Sequence, residues 1–308
     1  MKNTGLLLLC CTALLLFGCQ SSSPDQAYDF PHIPVSYPDT PRDTAAINDF
    51  SGYKVPAPYQ WLEQSDSAQT KAWTAAQSEV ARAYLSQLPG RDLLRQEIAQ
   101  LSDYTSISPP RLIKGAYYYL KSERGVCKGL FRRDSLNAPE KQLINPQTLG
   151  WPTASEITSF TPSPDGTLLA LKRSLAHSEW EDLLLFDLEQ EKFISDTLRF
   201  VRHSNITWYG SGFFYSRYAR PGSPTEPYLF QQVCYHRPGT DQSEDELIYA
   251  DRSDPRFRFE VHLSPVQDYL VLLSTDADGH QAIYGRPAGE TDAGFTTIAE
   301  GLEHQLEW

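Results

Sequence analysis

Methionine occurs once in the 308 residues, as the initiator, and cysteine only five times. Helical bundles draw on Met, Ala, Leu and Glu, so this scarcity beside 22 prolines, 18 glycines and 17 tyrosines points to a turn-rich β protein. Basic residues are outnumbered 39 to 27, and the resulting charge of -12 offers no cationic footprint to a polyanion. That excludes nucleic acid as a partner. The seven histidines, His32, His177, His203, His236, His262, His280 and His304, never fall within five residues of one another, which removes any local metal-ligand pair. No glycine-rich phosphate loop is present, and neither a metal nor a cofactor is called for. A nucleophile elbow of the Gly-x-Ser-x-Gly type is also missing. Gly210-Ser211-Gly212 comes nearest, but it lacks the spacing and reads as a turn between strands. Asp276, Asp278 and Gly279 suggest a calcium loop without the later glutamate that an EF-hand needs, so they read as an ordinary turn. The acidic group Asp241, Glu244, Asp245 and Glu246 reads as a solvated loop rather than a pair of catalytic carboxylates.

Long apolar runs are confined to one place. Lys2 is followed by an apolar stretch from Leu6 to Phe17, closed by the small residue Gly18. This has the form of a secretory signal peptide, and it is shorter than the roughly 20 apolar residues of a spanning helix. Leu16-Phe17-Gly18-Cys19 resembles the bacterial lipobox, which predicts cleavage after residue 18 and acylation of Cys19. Gln20, where an aspartate would signal retention in the inner membrane, suggests a bacterial envelope protein held to the outer membrane. Residues 19–31 then form a polar tether. Cys127 and Cys234 remain, far apart and without CxxC spacing, and are expected to be buried thiols in strands.

With 40% hydrophobic and 12% aromatic residues, the rest of the chain has ample surface to bury. Trp73, Ala76, Val80 and Tyr84 recur at helical steps within 66–88, with Asp66 and Gln69 placed as a capping box and Pro89-Gly90 as the stop. Leu94, Ile98 and Leu101 mark a second helix. From about residue 104 the pattern becomes repetitive. Turns at Lys114-Gly115, Asp165-Gly166, Ser211-Gly212 and Gln267-Asp268, spaced by 51, 46 and 56 residues, each precede a strand-like run. Further strands are expected at 129–132, 182–186, 228–231 and 281–284. A period near fifty is that of four-stranded propeller blades.

Several blocks together resemble the prolyl oligopeptidase family of serine peptidases. Tyr37-Pro38, Arg42-Asp43, the segment from Gly52 to Pro56, that from Pro58 to Glu63, Asp66-Ser67 and the run from Gln69 to Ala72 match its amino-terminal signature in order and spacing. The segments from Pro162 to Gly166 and from Gly239 to Asp245 fit its propeller turns. Ala57, Gln60 and Gln64 depart from the signature. The resemblance implies a mainly β chain: an extension at 32–103, which in the family packs on an α/β-hydrolase domain, then an incomplete β-propeller at 104–308. About four blades of an expected seven are present, with the opening of a fifth at Gly301 to Trp308. It further implies hydrolysis of short peptides after proline, with a propeller that restricts substrate size. The serine, histidine and aspartate of that chemistry belong to a hydrolase domain downstream, so no catalytic residue is assigned. The alternative is a truncated propeller lipoprotein that acts as a binding module.

Overall fold

The computed structural model describes residues 32–152, 155–174, 179–219, 228–290 and 293–302. The chain forms two compact units, one up to Arg91 and one from Asp92. In the first, strands β1 (Ile47–Phe50) and β2 (Tyr53–Pro56) form a hairpin closed at Ser51-Gly52, where both residues have positive φ and Asp49 accepts the Gly52 amide. A 3-10 turn at Gln60–Glu63 leads into helix α1 (Ala68–Ser86). Its cap is Ser67, whose Oγ accepts from the Thr70 amide, and not Asp66. The expected register is therefore one residue out: Asp66 sits on the surface and pairs with Lys71. Trp61 and Trp73 meet edge to face, their ring nitrogens bonded to Pro41 O and Thr40 Oγ1. Both indoles are half-buried. Helix α2 (Arg91–Leu101) buries no residue, and the face carrying Leu94, Ile98 and Leu101 is open to solvent.

The second unit continues as antiparallel four-stranded meanders. The first joins β3 (Thr105–Ile107) and β4 (Arg111–Ile113) to opposite halves of β5 (Ala116–Glu123), followed by β6 (Val126–Arg133) and β7 (Lys141–Ile144). Its first strand is split because Pro109 and Pro110 have no amide to give the ladder. Next come β8 (Glu156–Pro162), β9 (Leu168–Ser174), β10 (Glu181–Asp187) and β11 (Lys192–Val201). A third set comprises β12 (Thr207–Tyr209), β13 (Gly212–Arg217), β14 (Gln232–His236) and β15 (Glu246–Ala250). The last is β16 (Arg258–Leu263), β17 (Tyr269–Thr275), β18 (Gln281–Pro287) and β19 (Thr296–Leu302). Among the described residues, the pairing of Val201 with Arg217 and the bond from the Tyr218 amide to Phe200 O link the second and third sets into one sheet.

The four turns that mark the sequence repeat all connect the first strand of a set to its second. Positive φ at Lys114, Gly115, Gly166, Gly210 and Gln267 makes these reversals. In two of them a serine does the same work. Ser163 Oγ accepts the amides of Thr167 and Leu168 and donates to Asp165, and Ser264 Oγ accepts those of Asp268 and Tyr269 and donates to Asp268. The run Tyr228 to Gln231, expected as a strand, lies before β14 instead. Phe230 has φ of 62° and gives its amide to Pro255 O, a conformation no ladder accommodates. Gly301 and Leu302 likewise do not open a fifth blade; Leu302 pairs with Gln281 as the end of β19, and residues 303–308 lie outside the described ones.

Three apolar layers fill the seams between successive sets. Leu130, Ile144, Leu169, Leu171 and Phe186 belong to the first seam, Ala170, Leu183, Leu185, Phe213 and Tyr215 to the second, and Phe214, Val233, Phe259, Val261 and Leu270 to the third. Side chains along β9 and β13 thus alternate between neighbouring seams, as the two-residue period of a strand requires. Each sheet is stabilised by the next, which is the stacking of a repeat architecture.

Candidate functional site

A groove of 870 Å³ opens between the second and fourth sets, beside the segment 202–205 that leads from the second set to the third. Strand β16 supplies one wall by alternation: Arg258, Glu260 and His262 face the groove, while Phe259 and Val261 point into the third seam. Thr158 of β8, Lys172 of β9, Glu181 at the start of β10, and Arg202 and His203 just after β11 supply the other sides. Charges of both signs are interleaved. Lys172 pairs with Glu181 at 3.4 Å and donates to Ser204 O, and Thr158 Oγ1 donates to Glu181 at 2.8 Å. Arg202 pairs with Glu179 and lies over the Tyr228 ring, 4.6 Å from its centroid. Tyr228 in turn meets Trp180 at 4.3 Å. His262 stands 3.5 Å from Glu260 and, despite partial burial, holds that carboxyl below its usual range. Burial, reinforced by the Arg202 and Arg258 guanidiniums, pushes His203 below the ordinary imidazole value.

Side-chain amides lock the groove's walls together. Asn205 accepts the Val261 amide and donates to the Val261 carbonyl, completing the backbone of β16 as a neighbouring strand would. The buried Gln231 does the same across a longer span, accepting from Phe259 N and donating to Arg202 O at 2.8 Å. Ser216 Oγ donates to Phe259 O at 2.7 Å. Rigid walls of this kind suit a site that must hold a fixed shape.

A second polar cluster is sealed inside. His236 of β14 is flanked by Asp245 at 2.7 Å and Asp196 at 3.3 Å, and all three side chains are buried. Tyr215 donates to Asp245 at 2.5 Å, and the Gly239 amide donates to Asp196. The expectation of a solvated acidic loop therefore fails at Asp245. It holds for its neighbours: Asp241 and Glu244 form a capping box on the short turn Gln242–Glu244, and the exposed Glu246 pairs with Arg237. The period-two pattern of β14 gave no hint that His236 turns inward toward two carboxylates on separate segments. A histidine held by carboxylates invites comparison with a catalytic base, but Tyr215 donates to the carboxylate and not to the imidazole, and no solvent path reaches the ring.

The other residues singled out in the sequence lie apart from both clusters. Ser211 sits in the hairpin between β12 and β13, a strand-to-strand reversal. Cys127 and Cys234 are buried free thiols in β6 and β14, and burial pushes both above the ordinary thiol value. Asp276, Asp278 and His280 come together in the β17–β18 turn, where Asp276 is occupied by the amides of Asp278 and His280 and by the His280 ring. Cys19 lies outside the described residues.

Comparison with known proteins places these features. The sequence model of the family described as prolyl oligopeptidase, N-terminal beta-propeller domain, matches residues 38–308. Prolyl endopeptidase of Elizabethkingia meningoseptica is 31% identical over 279 residues, covering 88% of this chain and 39% of the relative. Prolyl oligopeptidase A of Amanita bisporigera is 25% identical, covering 85% of this chain and 39% of the relative. A solved prolyl endopeptidase superposes with a TM-score of 0.72 at 24% identity, over 87% of this chain and 40% of that one. Prolyl oligopeptidase B of Galerina marginata, bound to a 35mer hydrolysis and macrocyclization substrate, superposes at 0.68 and 23% identity, over 86% and 41%. The chain thus spans about two-fifths of the length of the relatives it matches.

Proposed function

Since the chain belongs to the prolyl oligopeptidase family, as its N-terminal β-propeller domain, we propose that it serves as the substrate-screening part of a peptidase that cleaves short peptides after proline. The observation that carries this is the match along 38–308 to relatives named for that activity, of which the chain accounts for 39%. The bond-breaking groups are assigned to a hydrolase domain carried by sequence beyond these residues. There a serine attacks the acyl carbon, a histidine takes and returns the proton, and an aspartate orients the histidine. The propeller's part is steric and electrostatic: stacked sheets exclude a folded protein, while the charged groove between them, at 870 Å³, has the volume to take part of a short peptide. We also propose that Cys19 carries lipid and anchors the protein at the outer membrane, on the strength of Leu16-Phe17-Gly18-Cys19.

A chimaera tests the enzymatic part. Placed in the corresponding portion of Elizabethkingia meningoseptica prolyl endopeptidase, this chain is expected to support cleavage after proline in a reporter peptide while sparing casein, and to cleave neither when alone. A folded chimaera without prolyl cleavage refutes the family activity. Equal cleavage of casein refutes the screening role alone.

A further inference from the structure

The charged groups lining the groove are unequally matched. Glu181 is satisfied by Lys172 and Thr158, and Glu260 by His262. On the basic side, Arg202 is held by Glu179 through a terminal nitrogen, but its Nε is buried and has no hydrogen-bond partner among the described residues. The guanidinium of Arg258, half-buried on the groove wall, makes no hydrogen bond or ion pair among them. A buried donor left unmade is costly, and a guanidinium is the group best shaped to take a carboxylate through two parallel bonds. The Tyr228 ring beneath Arg202 fixes that guanidinium in advance, so little ordering is left to the moment of binding. Both arginines also act on one histidine, His203, so their fields overlap.

The acidic groups decide what kind of anion fits. Glu179, Glu181 and Glu260 line the same groove and repel a ligand of dense negative charge such as a polyphosphate, as does the net charge of -12. A ligand with one carboxylate and otherwise neutral or positive character meets no such opposition. The volume of 870 Å³ is far larger than a lone small anion fills, and Ser174 and Thr275 offer hydroxyls along it.

We propose that this groove is a binding site for the free C-terminal carboxylate of a short peptide, received by Arg258 and by the Nε of Arg202. The proposal gives the propeller a binding role of its own, and it stands or falls without any bond being cleaved, so its outcome is separate from that of the peptidase assay.

Calorimetric titration of the 308-residue chain with Ala-Ala-Pro-Ala, as the free acid and as the C-terminal amide, decides the matter. The acid is expected to bind about tenfold more tightly than the amide, the worth of one charge-assisted contact at a half-buried position. Arg258→Gln should erase the preference and Arg258→Lys should keep part of it. Arg202→Lys, which retains the charge and removes Nε, should weaken the preference and serves if Arg258→Gln does not fold. Equal binding of acid and amide, a preference that survives Arg258→Gln and Arg202→Lys, or no binding of either peptide by about 1 mM overturns the proposal. Displacement of the peptide by an equal concentration of acetate would show a bare anion site and overturn it as well.

Discussion

Replacing His236 with phenylalanine should be among the most damaging single changes available in this chain, and its effect should depend on pH. Side chains of His236 and Asp245 are wholly inaccessible and that of Asp196 is 2% exposed. Two carboxylates so placed need a cation between them. Burial disfavours the imidazolium, but the bonds and charges of Asp245 and Asp196 outweigh it, so His236 is held above the ordinary imidazole value. Removing one member of a buried, hydrogen-bonded ion pair costs about 3–5 kcal/mol. Against a domain stability of about 5–15 kcal/mol, that is a large fraction. The folded state binds this proton more tightly than the unfolded chain, whose histidine titrates near 6.5. The stabilisation is therefore complete below about pH 6.5 and disappears as pH rises through the higher folded value, at about 1.4 kcal/mol for each unit by which the folded value is raised. Urea unfolding of the parent and His236→Phe at a series of pH values from 5.5 to 9 measures the difference directly. The gap should be widest at acid pH and narrow as the solution becomes basic. Adding Asp196→Asn to His236→Phe removes one of the uncompensated charges and should recover part of the loss. A gap below about 1 kcal/mol at pH 6, or one that does not change with pH, would refute the claim that an imidazolium joins these carboxylates.

Four other outcomes are expected. Gly129→Ala should lower stability by at least about 2 kcal/mol, seen as a shift in urea midpoint at constant slope, because φ there is 116° and an added Cβ would lie 1.8 Å from Ile144 O. Gln231→Ala should lose about 2–3 kcal/mol in the same assay, since it strands the Phe259 amide and Arg202 carbonyl that the buried side chain satisfies. Hydrogen exchange should be slower across residues 157–290, where the second and third sets have apolar seams to both sides and the fourth has one, than across 66–101, where among the described residues only Thr70 is buried; the reverse order would mean the extension folds independently. A fatty-acid analogue should label the protein in cells and fail to label Cys19→Ser, and label persisting in that variant would remove the case for lipid at this residue.

The repeat was legible because its signals are local. A reversal with positive φ must fall on glycine or on a residue that tolerates the left-handed region, and the strand after it must be apolar on both faces when a sheet lies on either side. Both requirements leave marks within six or eight residues, which is why turns at Lys114-Gly115 and Asp165-Gly166 and strands such as Leu168–Ser174 could be placed from the sequence. The misplaced strand at Tyr228 to Gln231 shows the limit. Those residues are apolar enough for β structure, but the geometry there is set by a bond from Phe230 to Pro255 and by Gln231 reaching Phe259, partners more than twenty residues away.

The groove and the buried histidine escaped the sequence for the same physical cause. Arg258, Glu260 and His262 do alternate with Phe259 and Val261, and that pattern marks a strand with one polar face. What it cannot mark is that the polar face looks toward Lys172, Arg202 and Glu181, because those residues come from other sheets. Stacking of repeats makes each seam a meeting of segments about fifty residues apart, so function that lies between sheets is spread over the period of the repeat. His236 met Asp196, 40 positions earlier, for the same reason. Local patterns in such a protein identify walls, and only the stacking shows what the walls enclose. Isolated charged residues on the strands of a propeller sequence are accordingly the ones to pair across one or two repeat lengths before they are dismissed as solvated.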